Sequence, residues 1–397
     1  MKLLRKKLKN GMTVIMEKRS LPVVSFCIAN KFGASFEGSD IKGIAHFIEH
    51  LLFTGTDKRT HEDISREIEK RGGILNAFTA HEVTNFWFKM PSKHLFEGMD
   101  IIIDMLNNSI IDEEKFEKEK KVILEEIKMY HDDPRRQVIE MVESNLYDKP
   151  FNELIIGNKK TVSSLKRDFV YKYYKERYCP SNYVAVIVGD ADFDKVCEKL
   201  ERAFEKKEFE FKPVSIRKMN RESVEERGNI DQAHFAFAIH APKVESKDYS
   251  ALEVLNAYLA GGMSAKLFLE IREKRGLAYS VSGNIVSEKN YGYYVIYVGT
   301  TKEALPEVKK LILEGFDKVS KMSEKELEEA KERLIGLRQV SSEESADVMN
   351  YLLSTELYEG NADKYYEYEK KIREVKLEDV KRIAKISNYS SAAIVPK

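Results

Sequence analysis

The chain has 397 residues, more than one hydrophobic core usually organises, and fits two or three domains. Hydrophobic residues make up 43% and charged residues 33%, a balance that excludes long disordered arms. Lys and Arg number 66 and Asp and Glu also 66, so a binder that works by releasing counterions from a phosphate backbone has no electrostatic support, and no nucleic-acid partner is expected.

The opening segment carries Lys2, Arg5, Lys6, Lys7 and Lys9 and lacks an apolar signal region, so a mature cytoplasmic protein is expected. No uncharged apolar run reaches the ~18 residues of a membrane-spanning helix, and no membrane partner is expected. Residues 23–28 read as a buried strand. Next comes Gly43-Ile44-Ala45-His46-Phe47-Ile48-Glu49-His50-Leu51-Leu52-Phe53. On a helix, His46, Glu49 and His50 share one face while Ile44, Ala45, Phe47, Ile48, Leu51 and Leu52 cover the rest, so this helix should be buried. Two imidazoles and a carboxylate on a buried face must be satisfied, because an unpaired buried charge is costly. A metal satisfies them: imidazoles four residues apart reach one Zn²⁺, and Glu49 is placed to take a proton from water.

Glu69-Lys70-Arg71-Gly72 leads into a long strand-like stretch, residues 74–90, in which 74–88 alternates as a strand whose start, at Gly72-Gly73, permits close approach of another backbone. Residues 93–107 and 113–130 have helical periods. In the second of these, Glu119, Ile123, Glu126, Ile127 and Tyr130 fall on the stripe of Phe116, whereas Glu125 lies roughly 180° away and Glu114 and Glu117 also point aside. Glu119 and Glu126 therefore face inward and need partners. A catalytic zinc needs a third protein ligand, and Glu126 is expected to supply it, with Glu119 expected to hold a ligand histidine by a hydrogen bond.

Residues 183–188 read as a strand, and the Lys- and Glu-rich stretch 205–227, with Pro213, as a solvated connector that divides the chain into 1–215 and 216–397. After a strand at 234–240, Glu273-Lys274-Arg275-Gly276 repeats the earlier tetrapeptide at an offset of 204 residues (273 minus 69). A strand-like stretch (277–298) and two helical periods (301–319, 323–339) follow in the order of the first half. The expected fold is α+β, two structurally related α/β halves from a duplicated unit, each a sheet covered by helices. The second half lacks the two-histidine motif and carries Ala330 and Leu337 where Glu119 and Glu126 would fall, so one Zn²⁺ per chain is expected. Cys27, Cys179 and Cys197 are too few and too scattered for a disulfide framework or a thiolate zinc site, and read as buried thiols in a reducing compartment. His61, His81, His94, His131, His234 and His240 read as structural or surface residues. No glycine-rich phosphate loop follows a strand.

The run His46 to His50 is the inverted zinc signature HxxEH. With Gly43-Ile44-Ala45-His46, Phe53-Thr54-Gly55-Thr56, the run Gly72 to Thr79 and the run Glu119 to Ile127, the whole chain resembles the pitrilysin family of zinc metallopeptidases. That family carries its ligand glutamate where Glu126 stands, 76 residues after His50 (126 minus 50), and an Arg/Tyr pair seven apart that matches Arg272 and Tyr279. The resemblance implies a zinc-dependent endopeptidase with Glu49, Arg272 and Tyr279 as catalytic residues. It also implies substrate binding along the strand that bears Asn76, Ala77 and Phe78. The length is similar to that of half-size members, which implies a homodimer closed into a chamber that admits peptides or unfolded polypeptide segments. A presequence-processing peptidase and a catalytically silent structural relative are the alternatives.

Overall fold

A computed structural model describes residues 3–212 and 215–397. In chain order it begins with β1 (Leu3–Lys7), β2 (Thr13–Lys18), β3 (Val23–Asn30), α1 (Ile44–Leu52), α2 (His61–Glu69), β4 (Ile74–Thr79) and β5 (Thr84–Pro91). Then follow α3 (Leu95–Asn108), α4 (Glu113–Asp132), α5 (Pro134–Leu146), α6 (Lys159–Ser164), α7 (Arg167–Arg177), β6 (Tyr183–Gly189) and α8 (Phe193–Ala203). The rest comprises β7 (Glu222–Arg227), β8 (Ala233–His240), α9 (Tyr249–Leu259), β9 (Ala278–Ser287), β10 (Gly292–Thr300), α10 (Leu305–Lys318), α11 (Glu324–Ser341), α12 (Ser345–Glu359), two short helices and β11 (Ser390–Pro396). Among the described residues no helix is long and apolar enough to cross a membrane.

These elements form two compact units. The first, Met1–Lys128 with Glu153–Val214 and Ser341–Tyr365, holds a six-stranded sheet in the order β1-β2-β6-β3-β5-β4. The second, Met129–Asn152 with Ser215–Val340 and Tyr366–Lys397, holds a five-stranded sheet in the order β7-β11-β8-β10-β9. Setting β1 aside, the two orders coincide when β2 to β6 are read as β7 to β11. Even the single parallel pair recurs, β2 with β6 and β7 with β11. This is the fold expected of a duplicated unit, two related halves of sheet plus helices.

The expected division at 215/216 is a single cut, whereas the units exchange a segment each. α5, from the first half of the sequence, packs on β8 and β11 of the second unit. α12, from the second half, covers β3 and β6 of the first, where Val348, Met349, Leu352 and Leu353 meet Ile15, Cys27, Val184, Val186 and Val188. Burial of an apolar helix face is indifferent to chain separation, so a composition boundary cannot reveal the exchange.

Two expectations about strands are corrected. Residues 74–90 are a hairpin, closed where the Ala80 N–H donates to Val83 O at 2.8 Å, and residues 277–298 hold a second hairpin, closed between Glu288 N–H and Tyr291 O at 2.9 Å. Ile74, Phe78, Phe86, Phe88 and Met90 look like one alternating stripe. Ile74 and Phe78, however, are 59% and 39% exposed on the edge strand β4, while the other three are buried on β5. The end of the connector is strand β7, whose alternating exposure at a sheet edge suits its charges and hides its strand character. Finally, Gly73 is needed for packing within the unit, since a Cβ there would lie 2.9 Å from Ile68 Cγ2 and 3.0 Å from Met90 Cβ.

Candidate functional site

The site is built on α1. Gly43 caps the helix at φ +98°, a left-handed conformation that favours glycine, and a Cβ there would meet Ile156 O at 2.5 Å. Two N–H groups of the first turn donate to the buried Glu37 carboxylate, Gly43 at 3.0 Å and Ala45 at 2.6 Å. Buried Lys42 lies 3.7 Å from that carboxylate and donates to Ala34 O. Ile44, Ala45, Phe47, Ile48, Leu51 and Leu52 are fully buried. Such a helix face stays where its neighbours hold it, and Phe47 stacks on Phe116 of α4 with ring centroids 4.8 Å apart. The Phe116 stripe of α4 therefore lies along α1.

That contact brings the inward glutamates beside the histidines. The His46 and His50 rings lie 4.6 Å apart. Glu126 Oε2 is 3.8 Å from His46 Nε2 and 3.5 Å from His50 Nε2, and Glu119 Oε2 is 3.4 Å from the other nitrogen of His50, Nδ1. One donor atom each from His46, His50 and Glu126 falls within a 4.8 Å span, and among the described residues no other trio of His, Cys, Asp or Glu converges in this way. Donors bound to one Zn²⁺ at ~2.0–2.1 Å in a tetrahedron stand roughly 3.4 Å apart, so the donor set and its spacing fit zinc.

The electrostatics agree with a dication. Three carboxylates, Glu49, Glu119 and Glu126, surround two imidazoles. Burial lowers the His50 pKa, but the Glu119 hydrogen bond and the charges of Glu126, Glu49 and Glu119 outweigh it and leave the ring more basic than usual. Burial holds the Glu49 carboxyl above its ordinary range, against the hydrogen bond from Thr79 and the charge of His50. A dication there offsets the acidic excess that the protein otherwise meets by binding protons.

Asn76, Ala77 and Phe78 lie on β4, which among the described residues pairs with β5 alone and ends the sheet. Arg272 and Tyr279 belong to the second unit. Arg272 sits in a π-helical turn, Phe268–Glu273, and its guanidinium lies 4.8 Å from the Phe268 ring and 5.4 Å from the ring of Tyr279, which is 76% exposed. Glu37, Lys42 and Thr79 escaped the sequence reading, because each meets its partner through folds of the chain rather than at a helical or strand spacing. The remaining histidines have structural partners or exposure. His234 Nδ1 is 2.8 Å from Tyr297 Oη and His240 Nε2 2.8 Å from Met219 O, while His61 and His131 are exposed. The three cysteines are free and buried, and burial pushes the Cys27 thiol up to about 12.

Residues 13–159 match the family described as Insulinase (Peptidase family M16), and residues 164–334 match the Peptidase M16 inactive domain. An uncharacterized zinc protease of Streptomyces coelicolor is 32% identical over 398 residues, covering 96% of this chain and 86% of its own. Zinc protease YmxG of Bacillus subtilis, also uncharacterized, is 30% identical over 397 residues, covering 98% and 97%. Among solved structures, a protease from Helicobacter pylori has a TM-score of 0.92 at 22% identity and full coverage of this chain, 99% of its own. A chain of Complex III2 from Candida albicans has a TM-score of 0.87 at 18% identity, covering 99% and 95%. At such identities these two likenesses concern the fold alone.

Proposed function

The chain belongs to the M16, or pitrilysin, family of metallopeptidases, and from that premise we propose that it is a zinc-dependent endopeptidase acting on peptides or unfolded polypeptide segments. The observation that carries this reading is the convergence of His46, His50 and Glu126 beside Glu49. Those three side chains hold the metal, and Glu119 orients His50 through Nδ1. Bound zinc supplies a Lewis acid that polarises a carbonyl and acidifies water. Glu49 accepts the proton of the attacking water and passes it to the leaving amine. The free edge of β4 at Asn76, Ala77 and Phe78 pairs with an extended peptide backbone, a mode that favours unfolded substrates. Arg272 and Tyr279 donate hydrogen bonds to substrate carbonyl oxygen.

One zinc per chain is proposed, since α11 carries Ala330 and the half-exposed Leu337 where α4 carries Glu119 and Glu126. A cytoplasmic homodimer is proposed for the assembly, in which Arg272 and Tyr279 of one chain serve the zinc site of the other and the two chains close a chamber. The test is mass spectrometry of a mixed peptide library treated with the purified chain. Internal cleavage that stops with chelator and returns with added Zn²⁺ is expected. A zinc-loaded chain that leaves the whole library intact would make it a catalytically silent relative, and cleavage confined to one class of presequence-like sites would narrow it to a processing peptidase.

A further inference from the structure

We propose that Thr79 is a positioning residue for Glu49 and ties the proton carrier to the strand that receives substrate; this rests on the role proposed for Glu49. Thr79 is the last residue of β4, and its Oγ1 donates to Glu49 Oε2 at 2.5 Å. Among the described residues this is the one side-chain hydrogen bond to that carboxylate. It engages one oxygen and leaves Oε1 as the oxygen available for a proton.

The donor itself is anchored on every side. Thr79 pairs with Thr84 across the hairpin, and the turn beyond it is closed by the Ala80 N–H to Val83 O bond. The turn is fixed in addition to the segment that leads to α1. Ala80 O accepts from Ala34 N–H at 3.0 Å, and His81 O accepts from Ser35 N–H at 2.8 Å and from Ser35 Oγ at 2.7 Å. The β-branched side chain has few χ1 choices, so the hydroxyl has little freedom to leave the carboxylate. Glu49, by contrast, ends in a torsion with broad, soft wells, which the hydrogen bond restrains. An oriented general base is worth a large factor in turnover, and small misplacements are expensive. Because Thr79 terminates the edge strand, a peptide that pairs along residues 76–78 stiffens the element holding Glu49.

The test uses the zinc-loaded full chain with a single reporter peptide and four variants: Thr79→Val, Thr79→Ser, Glu49→Gln and the Thr79→Val, Glu49→Gln double variant. Thr79→Val should keep its zinc and its KM within about twofold while kcat falls roughly 10- to 100-fold. Thr79→Ser, which keeps the hydroxyl, should recover most of that loss. In the Glu49→Gln background, Thr79→Val should cost less than about twofold, because a residue that acts through Glu49 has nothing left to act on. Equal losses from Thr79→Val in both backgrounds, or full kcat in Thr79→Val while Glu49→Gln is inactive, overturn the inference and leave the proposed function standing. Full activity in Glu49→Gln overturns the function itself. Should Thr79→Val lose zinc or fold poorly, Thr79→Ala carries the same cycle, since it removes the donor without setting a methyl group against the carboxylate.

Discussion

Glu125 and Glu126 are adjacent in sequence and opposite in surroundings. Glu125 is 71% exposed and bound to Lys128 at 2.6 Å, whereas Glu126 faces both histidines. A glutamine keeps the shape of either side chain and removes its charge. Glu126→Gln should therefore lose zinc affinity sharply, Glu119→Gln should lose roughly 10- to 100-fold, and Glu125→Gln should change it by less than about twofold. Competition with a chromogenic chelator measures all three, and a ranking with Glu125 first would break the ligand assignment. This contrast is legible in the sequence because a helix converts spacing directly into direction. Thr79 was illegible for the opposite reason: it reaches Glu49 from 30 residues away through a strand and a turn, and no period encodes that separation.

At the scale of elements, the start of α1 responds to pH through Glu37. The first N–H groups of a helix have no partner within the helix, and here the Glu37 carboxylate accepts from those of Gly43 and Ala45. Burial pushes the Glu37 carboxyl up to about 7, against the charge of Lys42 and the N–H groups of Ala45 and Gly43. In the unfolded chain the same group titrates near its ordinary 4.5. A carboxyl with the higher pKa in the folded state holds its proton more tightly there, so its contribution to stability is full below about 4.5 and is lost as pH rises through about 7. Glu37→Gln removes this term. With chelator present to exclude zinc linkage, the urea midpoint of wild type minus that of the variant should fall steadily across this window. A flat difference would show that Glu37 does not titrate there. The two hairpins teach a related lesson about strands: Ile74 and Phe78 share parity with Phe86, Phe88 and Met90 although an edge strand exposes the first two, and only pairing shows which apolar residues are core.

At the scale of the whole molecule, one architecture occurs twice and, among the described residues, the converging trio of metal donors once. β1 aside, both sheets share a strand order, yet α11 carries Ala330 and Leu337 where α4 carries Glu119 and Glu126. In the proposed homodimer, Glu49→Gln and Tyr279→Phe chains carry complementary lesions. Mixed in equal amounts and allowed to exchange, they should recover about one quarter of wild-type turnover, since half the dimers are mixed and each mixed dimer has one intact site. Native mass spectrometry confirms the exchange; exchange without recovery would retire the shared site. By itself the sequence determined the α1 motif, the inward stripe of α4, the His46, His50 and Glu126 trio and the two related halves, because helical period and repeat order are written locally along the chain. Only the tertiary structure decided the hairpins, the exchange of α5 and α12, the strand hidden in charged β7, and the contacts of Glu37 and Thr79 with α1. Those depend on which surfaces meet after folding, and burial and hydrogen bonding act on proximity in space, whatever the distance along the chain.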